Sequence, residues 1–198
     1  MSMVPENKSK NWRTETRLVR GGTQRSKFDE TSEAIYMTSG YVYDSAENAE
    51  AAFKCSNSRY VYSRYANPTV TMFEQRLALL EGADYCVGTS SGMAAVFAAL
   101  MSQISAGDRV VASRALFGSC HYIIQHMLPK FGIDIQFVDG TDTMQWKTAL
   151  SVPTKAVFLE TPSNPTLEII DIKSVSEFAH ASGARLIVDN VFSLAVST

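Results

Sequence analysis

From residue 85 onward the sequence alternates short apolar, β-prone runs with helical patterns, and this alternation narrows the possible folds more than any other feature. Runs at 85–88, 109–112, 133–138, 156–160 and 185–189 are separated by helical spacing at 92–104, 119–131, 143–150 and 172–182. β-rich segments alternating with helices of about a dozen residues predict an α/β chain with a mostly parallel sheet and helices on both faces. In such sheets ligands bind beyond the carboxyl ends of the strands, so the residues that follow each run are the candidates for chemistry.

The segment before this alternation reads differently. Residues 1–59 have mixed polarity, several turn-prone residues and no sustained periodicity beyond a short helix at 46–54, which predicts an extended arm. Residues 69–80 have helical spacing through Val70, Phe73, Leu77 and Leu80, and Glu81-Gly82 supplies a C-terminal stop. The expected organisation is therefore an arm at 1–59 and a single α/β domain at 60–198. Eighteen basic side chains against twenty acidic ones give a net charge of −2, which leaves no surplus of positive charge for nucleic acid or an anionic membrane. Cys55, Cys86 and Cys120 are an odd number without paired spacing, and with a polar N-terminus lacking an apolar signal core they predict a soluble protein of the reducing cytoplasm. The longest apolar run, 93–101, is far too short to span a bilayer.

Four segments could carry chemistry. Gly88-Thr89-Ser90-Ser91-Gly92-Met93 is a small-residue turn into an apolar helix, where main-chain N–H groups and hydroxyls can meet an anion; it is equally a tight turn with a serine cap. It matches neither a P-loop nor a dinucleotide fingerprint. Arg185-Leu186-Ile187-Val188-Asp189 is an apolar run ending in an acid, a candidate partner for a protonated ring nitrogen or a metal, or else a cap for the next turn. In Glu160-Thr161-Pro162-Ser163-Asn164-Pro165 two prolines stiffen a turn that can aim the Asn164 amide into a cleft, as any Pro-Asn turn can. Tyr60 to Pro68 holds three tyrosines and Arg64, whose planar fork of donors suits phosphate and which Tyr62 can accompany; an aromatic strand or subunit contact is the alternative. Phe117, in Leu116-Phe117-Gly118-Ser119, could lie flat on a ring or belong to a core. His121 and His126 lack metal-ligand spacing and read as surface or packing residues.

Taken in this order, YSRYANPT, SSGMAAV, ETPSNPT and VDNVF resemble the pyridoxal-phosphate enzymes of cysteine and methionine metabolism, the transsulfuration group of the aspartate-aminotransferase-like fold (PLP fold type I). The similarity runs from about Arg17 to Phe192. Thr38-Ser39-Gly40-Tyr41 and the phenylalanine of LFGS bring it closest to the O-succinylhomoserine sulfhydrylases. The resemblance implies pyridoxal 5'-phosphate as cofactor, with Ser91, Gly92 and Met93 at its phosphate and Tyr62 and Arg64 reaching the phosphate of a neighbouring subunit in a homodimer or homotetramer. It places Phe117 on the ring where many members have tyrosine, Asp189 at the pyridinium nitrogen, and Asn164 at the ring's phenolic oxygen or the substrate carboxylate side. It implies γ-replacement on an activated homoserine, yielding homocysteine in methionine biosynthesis. Cystathionine γ-synthase and the γ- and β-lyases use the same parts.

The resemblance also sets two departures. The family's Schiff-base lysine, in a Ser-Ala-Thr-Lys segment about two dozen residues beyond the aspartate, has no counterpart up to Thr198, and Lys8, Lys10, Lys27, Lys54, Lys130, Lys147, Lys155 and Lys173 lie in other contexts. The substrate-gripping C-terminal domain has none either, and after Phe192 the likeness fades. The expectation is a fragment of a longer enzyme, inactive alone, with a non-catalytic cofactor-binding or dimerisation remnant as the other reading.

Overall fold

A computed structural model of the chain describes residues 11–54 and 59–193. The expectations placed on Cys55 and on Lys8 and Lys10 lie outside the described residues. The chain forms two compact units, one ending at Gly88 and one beginning at Thr89, a division that differs from the 59/60 segmentation read from sequence texture. Among the described residues no helix is long and apolar enough to cross a membrane.

The first unit contains α1 (Thr14–Arg20), α2 (Ala46–Phe53) and α3 (Pro68–Glu81). The expected helix at 69–80 is α3, and its ends follow local chemistry. The Asn67 side chain accepts the Thr69 N–H at 2.9 Å, Pro68 opens the first turn, and Gly82 closes the helix at φ 63°. The arm is not wholly extended, because α1 lies within it. That helix buries none of its own residues and is too short for periodicity to show. Contacts with α3 hold it: Arg17 Nη1 donates to the Leu79 carbonyl at 3.4 Å and Arg76 Nε to that of Gly21 at 2.9 Å. Gly22 has φ 69°, and a Cβ there would sit 2.8 Å from the Met72 carbonyl oxygen, so α1 meets α3 where only glycine fits.

The run at 85–88 is not a strand: it has no ladder partner among the described residues. Tyr85 and Val87 give it β character, but a strand exists only by pairing, and propensity alone does not supply the partner.

The second unit begins with α4 (Gly92–Met101). Then follow β1 (Arg109–Ser113), α5 (Gly118–Tyr122), β2 (Asp134–Val138), α6 (Thr143–Ala149), β3 (Ala156–Glu160), α7 (Ile172–Ala181) and β4 (Arg185–Asp189). The single helix expected at 119–131 is three forms in succession, with a π turn at Ile123–Met127 and a 3-10 turn at Leu128–Phe131 after α5. Pro129 is the cause. It has no N–H to give and its ring crowds the preceding turn, so the helix widens before it, with Leu128 N–H reaching back to the Ile123 carbonyl.

All four strands are parallel, in the order β2-β1-β3-β4. Alternate residues feed two separate cores. Val110, Ala112, Ala156 and Phe158 face α4 and the α5 region with Val96, Leu100 and Ile124, while Val111, Val157 and Leu159 face α6 and α7 with Trp146, Val175 and Ala179. The expected helices on both faces follow directly, since β3 is buried at all five positions and needs cover on each side. Chain direction across the sheet reverses between β1 and β3, which opens a crevice at their carboxyl ends.

Trp146 is fully buried in the second core, and its Nε1–H donates to the Gly140 carbonyl at 2.9 Å. Trp146→Ala is expected to lower the unfolding free energy by about 3–5 kcal/mol, read from urea unfolding curves. A loss below about 1 kcal/mol would show that this core does not hold the sheet.

Candidate functional site

Beyond the carboxyl ends of the strands the second unit has a cavity of about 570 Å³. Its walls include Ser91, Gly92, Met93, Phe117, Phe158, Asn164, Ile187 and Asp189. The aspartate at the end of β4 and the small-residue turn nearly a hundred positions earlier therefore share one space. Each arrives there for a local reason.

Ser91 is the N-cap of α4, its hydroxyl accepting the Ala94 N–H at 3.1 Å. The Gly92 and Met93 N–H groups belong to the first turn of the helix and have no intrahelical acceptor. A Cβ on Gly92 would meet nothing within 4 Å. No protein atom requires glycine there, and its lack of a side chain leaves the main chain open to the cavity. Phe117 ends the short connection after β1 in extended backbone, just before α5, and is 40% exposed. Asn164 is half-buried in the turn after β3. Asp189 ends β4, and its Oδ1 accepts the Val191 N–H at 3.2 Å while its Oδ2 accepts the Cys120 thiol at 3.6 Å.

Tyr62 and Arg64 belong to the first unit. Tyr62 makes an isolated antiparallel bridge with Gly40, and the Arg64 guanidinium lies 5.3 Å from the Tyr62 ring centre and 5.5 Å from that of Tyr65. The TSGY segment and the YSRY segment are thus joined, with the Ser63 N–H also donating to the Ser39 carbonyl at 2.9 Å. His121 stacks on Phe137 at 4.8 Å, the packing role read from its spacing.

Sequence reasoning passed over two residues. Glu160, the last residue of β3, is fully buried and stands in register with Asp189 on the adjacent strand. Its Oε2 accepts the Phe117 N–H at 2.5 Å and its Oε1 the Asn164 N–H at 2.8 Å. Burial raises its pKa above the ordinary carboxylate value, the two N–H donors pull it back, and the Asp189 charge adds to the rise. The signal was available, because an apolar run ending in an acid is what marked Asp189, and AVFLE has the same form. Cys120 is the second. It is buried in the first core, and desolvation, followed by the negative charges of Asp189 and Glu160, pushes its thiol up to about 12. Its sequence context showed only a small apolar packing residue.

The donor set suits a planar ring with an anionic tail. The walls bring together helix-terminal N–H groups for an anion, an aromatic side chain with apolar neighbours, and the Asp189 carboxylate.

Comparison with known proteins points the same way. A family model described as Cys/Met metabolism PLP-dependent enzyme matches residues 15–197. An O-succinylhomoserine sulfhydrylase of Mycobacterium tuberculosis is 58% identical over 174 residues, covering 88% of this chain and 43% of the relative. One of Pseudomonas aeruginosa is 44% identical over 178 residues, covering 90% of this chain and 44% of the relative. Among solved structures, one named as an O-acetylhomoserine (thiol)-lyase of Campylobacter jejuni, with N'-pyridoxyl-lysine-5'-monophosphate, superposes with a TM-score of 0.84 at 33% identity. That match covers 91% of this chain and 44% of the other. The chain spans less than half the length of each of these relatives.

A thiol with a pKa near 12 is protonated throughout the neutral and mildly alkaline range, and only the thiolate reacts with alkylating reagents. Iodoacetamide at pH 8 is expected to label Cys120 in the folded chain about 1,000-fold or more slowly than in the urea-unfolded chain, measured by peptide mass spectrometry. Labelling in the folded chain at near the unfolded rate would show that this side of Asp189 is open and ordinary.

Proposed function

Because the chain belongs to the Cys/Met metabolism PLP-dependent enzyme family, we propose that the cavity of the second unit holds pyridoxal 5'-phosphate and that the protein exchanges the acyloxy group of O-succinylhomoserine for sulfide. The products are homocysteine and succinate. The architecture is that of the fold type I PLP enzymes, and the cofactor class comes with the family. The observation that carries the site assignment is the shared cavity, whose walls include both the N-terminal turn of α4 and Asp189. The sulfhydrylase reading rests on the 58% and 44% identities.

When bound, pyridoxal 5'-phosphate supplies an electron sink for a carbanion on the amino-acid substrate. The residues of this chain bind, orient and hold protons. The Gly92 and Met93 N–H groups and the Ser91 hydroxyl would grip the phosphate, where aligned peptide dipoles favour negative charge. The Phe117 ring would lie against one face of the pyridine; it stacks as a tyrosine would but has no phenolic proton to exchange. Asp189 would hold a proton on the ring nitrogen through a charge-assisted bond. The Asn164 amide would donate to the phenolic oxygen, and the apolar Phe158 and Ile187 would exclude water from the ring's surroundings. Tyr62 and Arg64, the latter as a bidentate donor, would complete the phosphate grip of a neighbouring subunit in a homo-oligomer.

The test supplies a full-length protein, of the length of the relatives and carrying this chain, with pyridoxal 5'-phosphate, O-succinylhomoserine and sulfide and measures homocysteine. Sulfide-dependent homocysteine is the expected product, whereas 2-oxobutanoate and ammonia formed without sulfide would replace this reading by an elimination. In the same assay Asp189→Ala is expected to reduce turnover about 100-fold or more while leaving the urea unfolding midpoint in place. Near-normal turnover would remove Asp189 from the ring nitrogen.

A further inference from the structure

Glu160 lines no part of the cavity, yet both walls that it does not form hang from it. Its two carboxylate oxygens take main-chain N–H groups from two separate segments: Phe117, after β1 and 43 residues before it, and Asn164, four residues after it. These are the strands between which the sheet reverses direction, so the side chain spans the crevice where the cavity opens. We propose that Glu160 is a positioning residue for the ring site, fixing the main chain at Phe117 and Asn164 so that the aromatic face and the amide stand at a set separation; this rests on the cofactor reading given above.

Three features of the arrangement support this over a simple turn cap. Both groups that approach are donors, and an ionised carboxylate is the one side chain that meets two donors with two acceptor oxygens and no hydrogen of its own. A glutamine in its place offers one oxygen and one NH2, and the NH2 would face an N–H. The carboxylate is fully buried with no cation beside it among its hydrogen-bond partners, and such a costly group is retained where its bonds are needed. Finally, Phe117 is joined to α5 through its carbonyl, which accepts the His121 N–H at 2.9 Å, and Asn164 lies between Pro162 and Pro165, so the N–H of neither has a helix or ladder acceptor in place of Glu160. Loss of the carboxylate frees both to shift, and a ring binding between them loses its fitted slot.

Glu160→Gln provides the test, with Trp146→Phe in the opposite core as a control for general loss of stability. Amide hydrogen exchange is followed by NMR, and pyridoxal 5'-phosphate binding by equilibrium dialysis. In Glu160→Gln the exchange rate of the Phe117 or Asn164 amide is expected to rise about tenfold or more, with amides of β1 and β3 unchanged, and the dissociation constant for pyridoxal 5'-phosphate to rise about tenfold. Trp146→Phe is expected to move neither. Unchanged exchange or unchanged binding in Glu160→Gln overturns the proposal, as does a rise in exchange across the whole sheet, which would make the residue structural only. If the unaltered chain protects both amides but takes up no pyridoxal 5'-phosphate, the cofactor reading fails and the role toward the ring falls with it, although the fastening is real. Should Glu160→Gln not fold, an ester in place of the peptide link preceding Phe117 deletes the N–H and keeps the ring, and the same rise in dissociation constant is required.

Discussion

The organisation of the second unit follows from the burial of β3. Five consecutive residues, Ala156 to Glu160, have no exposure to speak of, and alternate side chains point to opposite sides of the sheet. A strand of this kind requires an apolar layer on each face, so the connections must carry helices across both. Parallel strands joined in that way bring every carboxyl end to the same edge. The cavity at that edge is therefore a consequence of how the sheet is covered, and the chemistry found there depends on which residue each strand presents last: Ser113, Val138, Glu160 and Asp189.

Family membership fixes the cofactor class and the fold, while the assignment of a reaction rests on the sulfhydrylase relatives. The two kinds of inference draw on different residues. The roles proposed for the N–H groups at the start of α4 and for the acid at the end of β4 would serve any reaction that uses a pyridoxal ring, whatever the leaving group or the sulfur donor. Selection among γ-replacement and elimination has to come from side chains that touch the distal part of the substrate, and the described cavity walls are largely apolar.

Much of this was readable in the sequence because the relevant signals are local. β1, β3 and β4 stand out as apolar runs bounded by turns, and α3 declares itself through Asn67-Pro68 and Gly82. The sharing of one cavity by Gly92 and Asp189 was legible through the order of four motifs and the rule that strand ends converge. What escaped depended on partners distant in the chain. The run at 85–88 has β character without a partner, α1 exists by virtue of α3, and the three helical forms after Gly118 reflect a proline whose effect reaches backward by a turn. Glu160 was hidden for the same reason: as the first residue of a proline-rich turn its purpose is invisible until Phe117, 43 positions earlier, is seen to donate to it.

The two acids at the sheet edge show how one strand-end pattern can yield two functions. Glu160 and Asp189 stand in register on adjacent parallel strands, so their side chains leave the sheet on the same side and their charges repel. What separates them is how fully each is engaged. Glu160 is closed off by two short bonds from rigid main-chain donors, at 2.5 Å and 2.8 Å, one to each oxygen. Asp189 is met by a main-chain N–H at 3.2 Å and a weak thiol donor at 3.6 Å, and it lines the cavity. A carboxylate has room for about four donors. Each acid has two donors and room for about two more, but only Asp189 lines the cavity, so a cationic N–H entering there gains a bond and also relieves the repulsion between the pair. With the proposed roles, one acid serves shape and the other binding.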